Sequence, residues 1–249
     1  MSARIDWLKA FPQDEANTAV RFLCQLWNEL AISRAEGFTA AVSEPDLTFV
    51  LTEKLKDMAR HRAKLRGRWG QESQGGEVDP TTLRIRKRYR TDIEYFTDRY
   101  DPALRLIFEF KKLSDNETTR GKYYGDSGMM RFVVGNYSIG DPVALMVGIL
   151  MDEDAPTVTG LRRALHLPVV RGPLAMVKTQ RDEYFREPSS LFPESARFDT
   201  DHVRDANKAP AHQTIRIAHV FVSFPDPPPA PRRRRRKALT REAIESSVG

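Results

Sequence analysis

The sequence is poor in the features that announce a function class. Its one cysteine, Cys24, excludes an intramolecular disulfide and any paired-cysteine zinc site, and without an adjacent histidine motif it reads as a small core residue rather than a nucleophile. There is no Gly-x-x-x-x-Gly-Lys-Ser/Thr loop and no His-Glu-x-x-His helix, so a P-loop nucleotide site and a zinc-protease site lose their motifs. The five histidines are scattered without ligand spacing, and His219, inside an apolar stretch, reads as a hydrogen-bonded core residue. Long apolar runs are also missing: the longest, residues 143–151, is about half a membrane span. The opening MSARIDWLKAFPQDE lacks the basic-then-apolar layout of a secretory signal, which makes cytoplasmic, with no membrane partner, the expected location.

What remains is an ordinary globular composition, 40% hydrophobic and 30% charged in 249 residues, enough for a sizeable core. The net charge of +6 is unevenly placed. Arg232, Arg233, Arg234, Arg235, Arg236 and Lys237 carry +6 and residues 238–249 carry −1, leaving +1 on residues 1–231. The basic run follows PDPPPAP, a semi-rigid spacer. We therefore divide the chain into a folded domain, residues 1–224, and a Pro-rich linker with a disordered polybasic tail, residues 225–249, suited to contacting nucleic-acid phosphates.

Apolar residues at three- and four-residue spacing predict helices over residues 14–32 and 46–62. Residues 66–80, glycine-rich and polar, read as a loop. From Leu83 the period becomes two. Arg84, Arg86, Arg88 and Arg90 share one face of a strand, either a phosphate-tracking stripe or a protected edge. Further strands are expected over 92–96 and 104–113, completing a three-stranded meander, then a helix over 121–137 and a buried strand over 143–150. Beyond these, short helices are expected at 159–165 and 179–186, loops over 187–210, and a strand over 213–224.

The chemistry concentrates in RLIFEFKKL. Alternation puts Leu106, Phe108 and Phe110 on one side of that strand and Ile107, Glu109 and Lys111 on the other, the acid and the amine about 7 Å apart at the backbone. Asp92 opens the preceding strand. Asp92, Glu109 and the carbonyl of Phe110 are hard oxygen donors suited to Mg²⁺ or Mn²⁺, an ion that polarises a phosphoryl oxygen and acidifies bound water. Lys111 would orient that water or offset charge developing on the phosphate. Glu94 shares a face with Asp92 and competes for the acidic role.

These residues resemble the PD-(D/E)xK nuclease superfamily, through Asp92, then Glu109-Phe110-Lys111, and the order helix, three strands, helix, strand over about residues 44–152. Thr91 stands where proline often precedes the aspartate in that family. The resemblance implies an α/β fold of restriction-endonuclease-like type, a mixed sheet flanked by helices, and Mg²⁺-dependent cleavage of DNA, with RNA also open. It also implies an acidic metal ligand on the helix before the strands, Glu44 first and Glu53 second. KYYGDSGMMRFVVGNY followed by VALMVGILMD is similar to the segment after the active-site strand in nuclease-like proteins of bacterial anti-phage defence. On it Lys122, Tyr123 and Arg131 could reach a phosphate, while Met129, Met130, Phe132, Val133 and Tyr137 read as core. The expectation is thus a DNA-cleaving defence effector or subunit, gated by a protein partner or by self-assembly. A non-catalytic nucleic-acid-binding or assembly subunit on the same fold is the alternative.

Overall fold

The computed structural model describes residues 7–71, 74–78, 85–179, 183–210 and 212–225, with backbone alone for 74–78 and 85–90. Arg84 and the basic run from Arg232 to Lys237 lie outside the described residues, as do the side chains of Arg86, Arg88 and Arg90.

In chain order the elements are α1 (Trp7–Ala10), α2 (Gln13–Ser33), α3 (Glu44–Arg62), β1 (Arg68–Gln71), β2 (Gln74–Val78), β3 (Ile85–Arg90), β4 (Ile93–Thr97) and β5 (Leu104–Leu113). Then come α4 (Glu117–Tyr124), α5 (Met129–Val133), β6 (Val143–Leu150), α6 (Asp154–His166), α7 (Pro168–Arg171), β7 (Met176–Val177), β8 (Ala196–Val203) and β9 (Thr214–Ser223). Seven strands form one mixed sheet in the order β1-β4-β5-β6-β9-β8-β7. β5, β6 and β9 run parallel at its centre, with antiparallel strands on either side. The fold is a helix-flanked mixed α/β sheet, as the resemblance implies.

Burial on both faces explains the continuous apolar run of β6, every residue of which is buried. One face carries Leu104, Leu106, Phe108 and Phe110 of β5 against α2 and α3; the other carries Ile107 and Leu113 against α4, α5 and α6. Trp27 of α2 ties the first core together. It is fully buried, stacks near Phe110, meets Phe38 and Phe224, and donates from Nε1 to the Ser223 carbonyl at 3.1 Å. Among the described residues no helix is long and apolar enough to cross a membrane.

Several expectations need correction. Residues 66–80, read as a loop, contain β1 and β2. The arginine strand does not continue a meander into β4: β3 pairs with β2 in a separate two-stranded sheet, and β1 takes the place beside β4. The single helix over 121–137 is two short ones, α4 and α5, parted at residues 125–128. Gly128 sits so close to the α4 end that a Cβ there would lie 2.0 Å from the Tyr123 carbonyl oxygen, so the chain turns rather than continuing the helix. The described part of 179–186 is not helical, and Arg186 instead bridges Asp199.

β8, inside a stretch read as loop, was concealed because its buried residues are polar: Asp199, Thr200 and His202 have 0% exposure. They are satisfied individually. Asp199 accepts from the hydroxyls of Ser189 and Ser190 and the amide of Ser190. Thr200 Oγ1 lies between His202 Nε2 at 2.7 Å and His219 Nε2 at 2.9 Å. The direction of this chain follows from its ends. The Leu174 carbonyl only accepts, so His202 Nδ1 donates to it at 2.8 Å and His202 Nε2 accepts from Thr200. Thr200 then accepts from His219 Nε2, whose Nδ1 accepts from the Tyr123 hydroxyl at 3.0 Å. His219 is thus a hydrogen-bonded core residue, as its setting in an apolar strand suggests.

Burial pushes His202 down from 6.5 to about 4, and pushes His219, also disfavoured by a charge on His202, further below the ordinary range. The unfolded chain therefore binds protons first as pH falls through 6.5. Urea denaturation should show constant stability just above neutrality and a loss of about 3 kcal/mol from His202 alone between pH 6.5 and 4. A His202→Gln, His219→Gln double variant should flatten this slope; an unchanged slope would show that other groups set the acid limit.

Candidate active site at the unpaired half of strand β5

β4 is five residues long and pairs only with Leu104 through Phe108 of the ten-residue β5. The remaining backbone of β5 on that side must find other partners. Two carboxylates supply them. Asp92 Oδ2, immediately before β4, accepts from the amide of Phe110 at 2.8 Å, and Glu44 Oε2 accepts from the amide of Lys112 at 2.8 Å. Acids far apart in sequence thereby meet the Glu109-Phe110-Lys111 segment through its own main chain.

Local sequence puts Glu44 there. Ser43 caps α3, its hydroxyl accepting from the Asp46 amide, and Pro45 follows in the first turn. Glu44 thus stands in the first turn, where the helix dipole favours a negative charge. Lys112, which sequence reasoning did not single out, fixes the approach: its Nζ donates to the carbonyls of Ala40 at 2.8 Å and Val42 at 2.6 Å. The only trace of it in the sequence is the Lys-Lys doublet, and its role depends on a chain segment some seventy positions earlier.

Lys111 is the common neighbour. Its Nζ lies 2.9 Å from Glu44 Oε1, 2.9 Å from Glu109 Oε1 and 2.6 Å from the Phe110 carbonyl. Burial opposes its charge, but Glu109, Asp92 and Glu44 outweigh that and hold the ammonium above its usual range. Glu109 is completely buried. Its Oε1 also accepts from Arg131 Nη1 at 3.1 Å, while Oε2 has no hydrogen-bond partner. Desolvation, and then the charge of Asp92, pushes this carboxyl up to about 8 against the pull of Lys111 and Arg131. Desolvation also raises Asp92. Arg131 is held in turn by the Tyr137 hydroxyl at 2.5 Å, so Tyr137, read as core, also steadies the site.

The structure therefore brings together Asp92, Glu109, Phe110, Lys111, Glu44 and Arg131. Lys122, exposed on α4, joins none of these bonds. Glu53 is exposed and pairs with Lys56 on the surface, which assigns the helix acid to Glu44. Glu94 pairs with Arg105 at 2.8 Å, which leaves Asp92 as the β4-side acid that bonds to β5.

Among the described residues no group of three His, Cys, Asp or Glu side chains is gathered as a metal cluster. The set that fits a divalent ion is smaller: Asp92, the unpartnered buried Oε2 of Glu109 and the Phe110 carbonyl, all hard oxygen donors. A cation there would offset the desolvation that raises both carboxyls. Compared with family models, curated proteins and solved structures, the chain matches none.

Removing Glu44 should leave the Lys112 amide and the Lys111 ammonium short of an acceptor. Glu44→Ala is expected to cost about 1–3 kcal/mol in urea denaturation. Glu53→Ala, which breaks an exposed ion pair, should stay within about 0.5 kcal/mol of wild type. Equal costs would separate Glu44 from the site.

Proposed function

We propose that this chain is a metal-dependent nuclease that hydrolyses phosphodiester bonds, with DNA as the first candidate substrate and RNA next. The observation that carries the reading is the convergence of Asp92, Glu44 and the buried, half-unpartnered Glu109 on the Phe110-Lys111 segment. Its location also supports the reading, because in open α/β sheets ligands bind near the carboxyl ends of parallel strands, where the Lys111 end of β5 lies.

In this reading Asp92, Glu109 Oε2 and the Phe110 carbonyl hold Mg²⁺ or Mn²⁺. The ion, when bound, supplies Lewis acidity toward a phosphoryl oxygen and lowers the pKa of water. Lys111 has all three N–H donors engaged, with Glu44, Glu109 and Phe110. To serve a phosphate it must release one, and the Glu109 contact is the natural one to exchange because Arg131 also neutralises that carboxylate. Glu44 then keeps the ammonium charged and aimed. The anti-phage setting rests on the resemblance of residues 122–152, and any gating partner on the need to restrain such an activity.

A non-catalytic binding subunit is the second reading. The saturated donors of Lys111 and the absence of a three-side-chain metal cluster among the described residues favour it.

Incubation of the purified chain with plasmid, linear and single-stranded DNA and with RNA, with and without Mg²⁺ or Mn²⁺, separates the two. Metal-dependent cleavage is expected. Asp92→Ala, Glu109→Ala and Lys111→Ala should each lower it by at least about a hundredfold while circular dichroism shows folding retained. Binding without cleavage under every condition selects the second reading. Wild-type cleavage by Glu109→Ala removes this site.

A further inference from the structure

A cleft of about 500 Å³ opens between the C-terminal half of α3 and the edge strand β1. We propose that it binds the sugar-phosphate backbone of a nucleic acid, holding the polymer at a distance from the carboxylate site. This rests on the nucleic-acid reading above, but not on catalysis.

Four cations line the cleft: Lys56 and Arg60 on one face of α3, and Arg66 and Arg68 where the chain enters β1. Lys64, in the left-handed region at φ 56°, swings the chain from the helix toward the strand. Gly67 then lies so close to Tyr95 that a Cβ would stand 2.4 Å from its ring, and its amide donates to the Tyr95 hydroxyl at 3.2 Å. The two flanking arginines are thus carried on a segment seated on the sheet. Arg60, Arg66 and Arg68 are exposed and make no ion pair among the described residues; Lys56 has only the exposed Glu53. Trp69, 6% exposed and also lining the cleft, has an Nε1–H without a hydrogen-bond partner. Unpaired guanidiniums suit phosphate oxygens, which accept from them in pairs.

Charges on an edge strand also discourage strand-to-strand association. That role explains Arg68, but not Lys56 and Arg60 converging on it from a helix. α3 runs from Glu44 at the site to Arg60 at the cleft, a rise of about 24 Å, equal to about seven base-pair steps of duplex.

The test uses the full chain, a short fluorescein-labelled DNA duplex and EDTA, so that binding is read without cleavage. An Arg60→Gln, Arg66→Gln, Arg68→Gln variant should bind about tenfold or more weakly at moderate salt, and its plot of log affinity against log salt should be shallower by about 0.9 for each phosphate it no longer neutralises. Arg163→Gln, an exposed charge on α6, should change neither. In Mg²⁺ the triple variant should lose cleavage at low substrate and regain it at saturation. A wild-type affinity and salt slope in the triple variant would overturn the proposal, as would an equal loss in Arg163→Gln or aggregation with unchanged DNA binding. Because binding is read in EDTA, failure of the cleft and failure of the nuclease reading give different results.

Discussion

The organisation of this protein turns on a mismatch of strand lengths. β5 continues for five residues beyond the end of its antiparallel neighbour, and in a sheet buried on both faces those main-chain amides cannot go unpaired. Asp92 and Glu44 complete the ladder with carboxylate oxygens. A structural requirement thereby recruits two acids to the segment that also carries Glu109 and Lys111. Each recruited carboxylate has a second oxygen; that of Glu44 goes to Lys111.

The electrostatics follow from that arrangement. Desolvation works against the charges of Asp92, Glu109 and Lys111, and the groups are kept in place by sharing counter-charges. Lys111 sits among three carboxylates, and Glu109 between Lys111 and Arg131. Breaking one member of such a buried set is far costlier than the pair's net worth suggests, because the partner is left charged and unsolvated. The Glu109 Oε2 is the one oxygen of that carboxylate left without a counter-group, and it is where a cation is most useful.

Farther across the same face of the sheet, towards β8, buried polar groups are satisfied without charge. Tyr123, His219, Thr200 and His202 form one directed hydrogen-bond chain ending on the Leu174 carbonyl, with both imidazoles neutral. It links α4, which follows β5, to the strands β8 and β9. The two cores, one aromatic around Trp27 and one threaded by this chain, hold β5 from both faces.

Much of this was legible in the sequence. Apolar spacing announced α2, α3, β5, β6 and β9, because each presents a regular face to a core, and i, i+2 alternation placed Glu109 beside Lys111. Elements whose burial does not follow hydrophobicity were concealed: β1 and β2 among glycines, and β8 with its buried Asp199, Thr200 and His202. That an acid and a lysine share a strand face can be read from residue order alone, since alternation is a property of the local backbone. Which distant acids join them was set by the packing of the elements. It chose Glu44 over Glu53 and Asp92 over Glu94 and brought in Lys112 and Tyr137, because those choices depend on where β4 stops and how α3 docks.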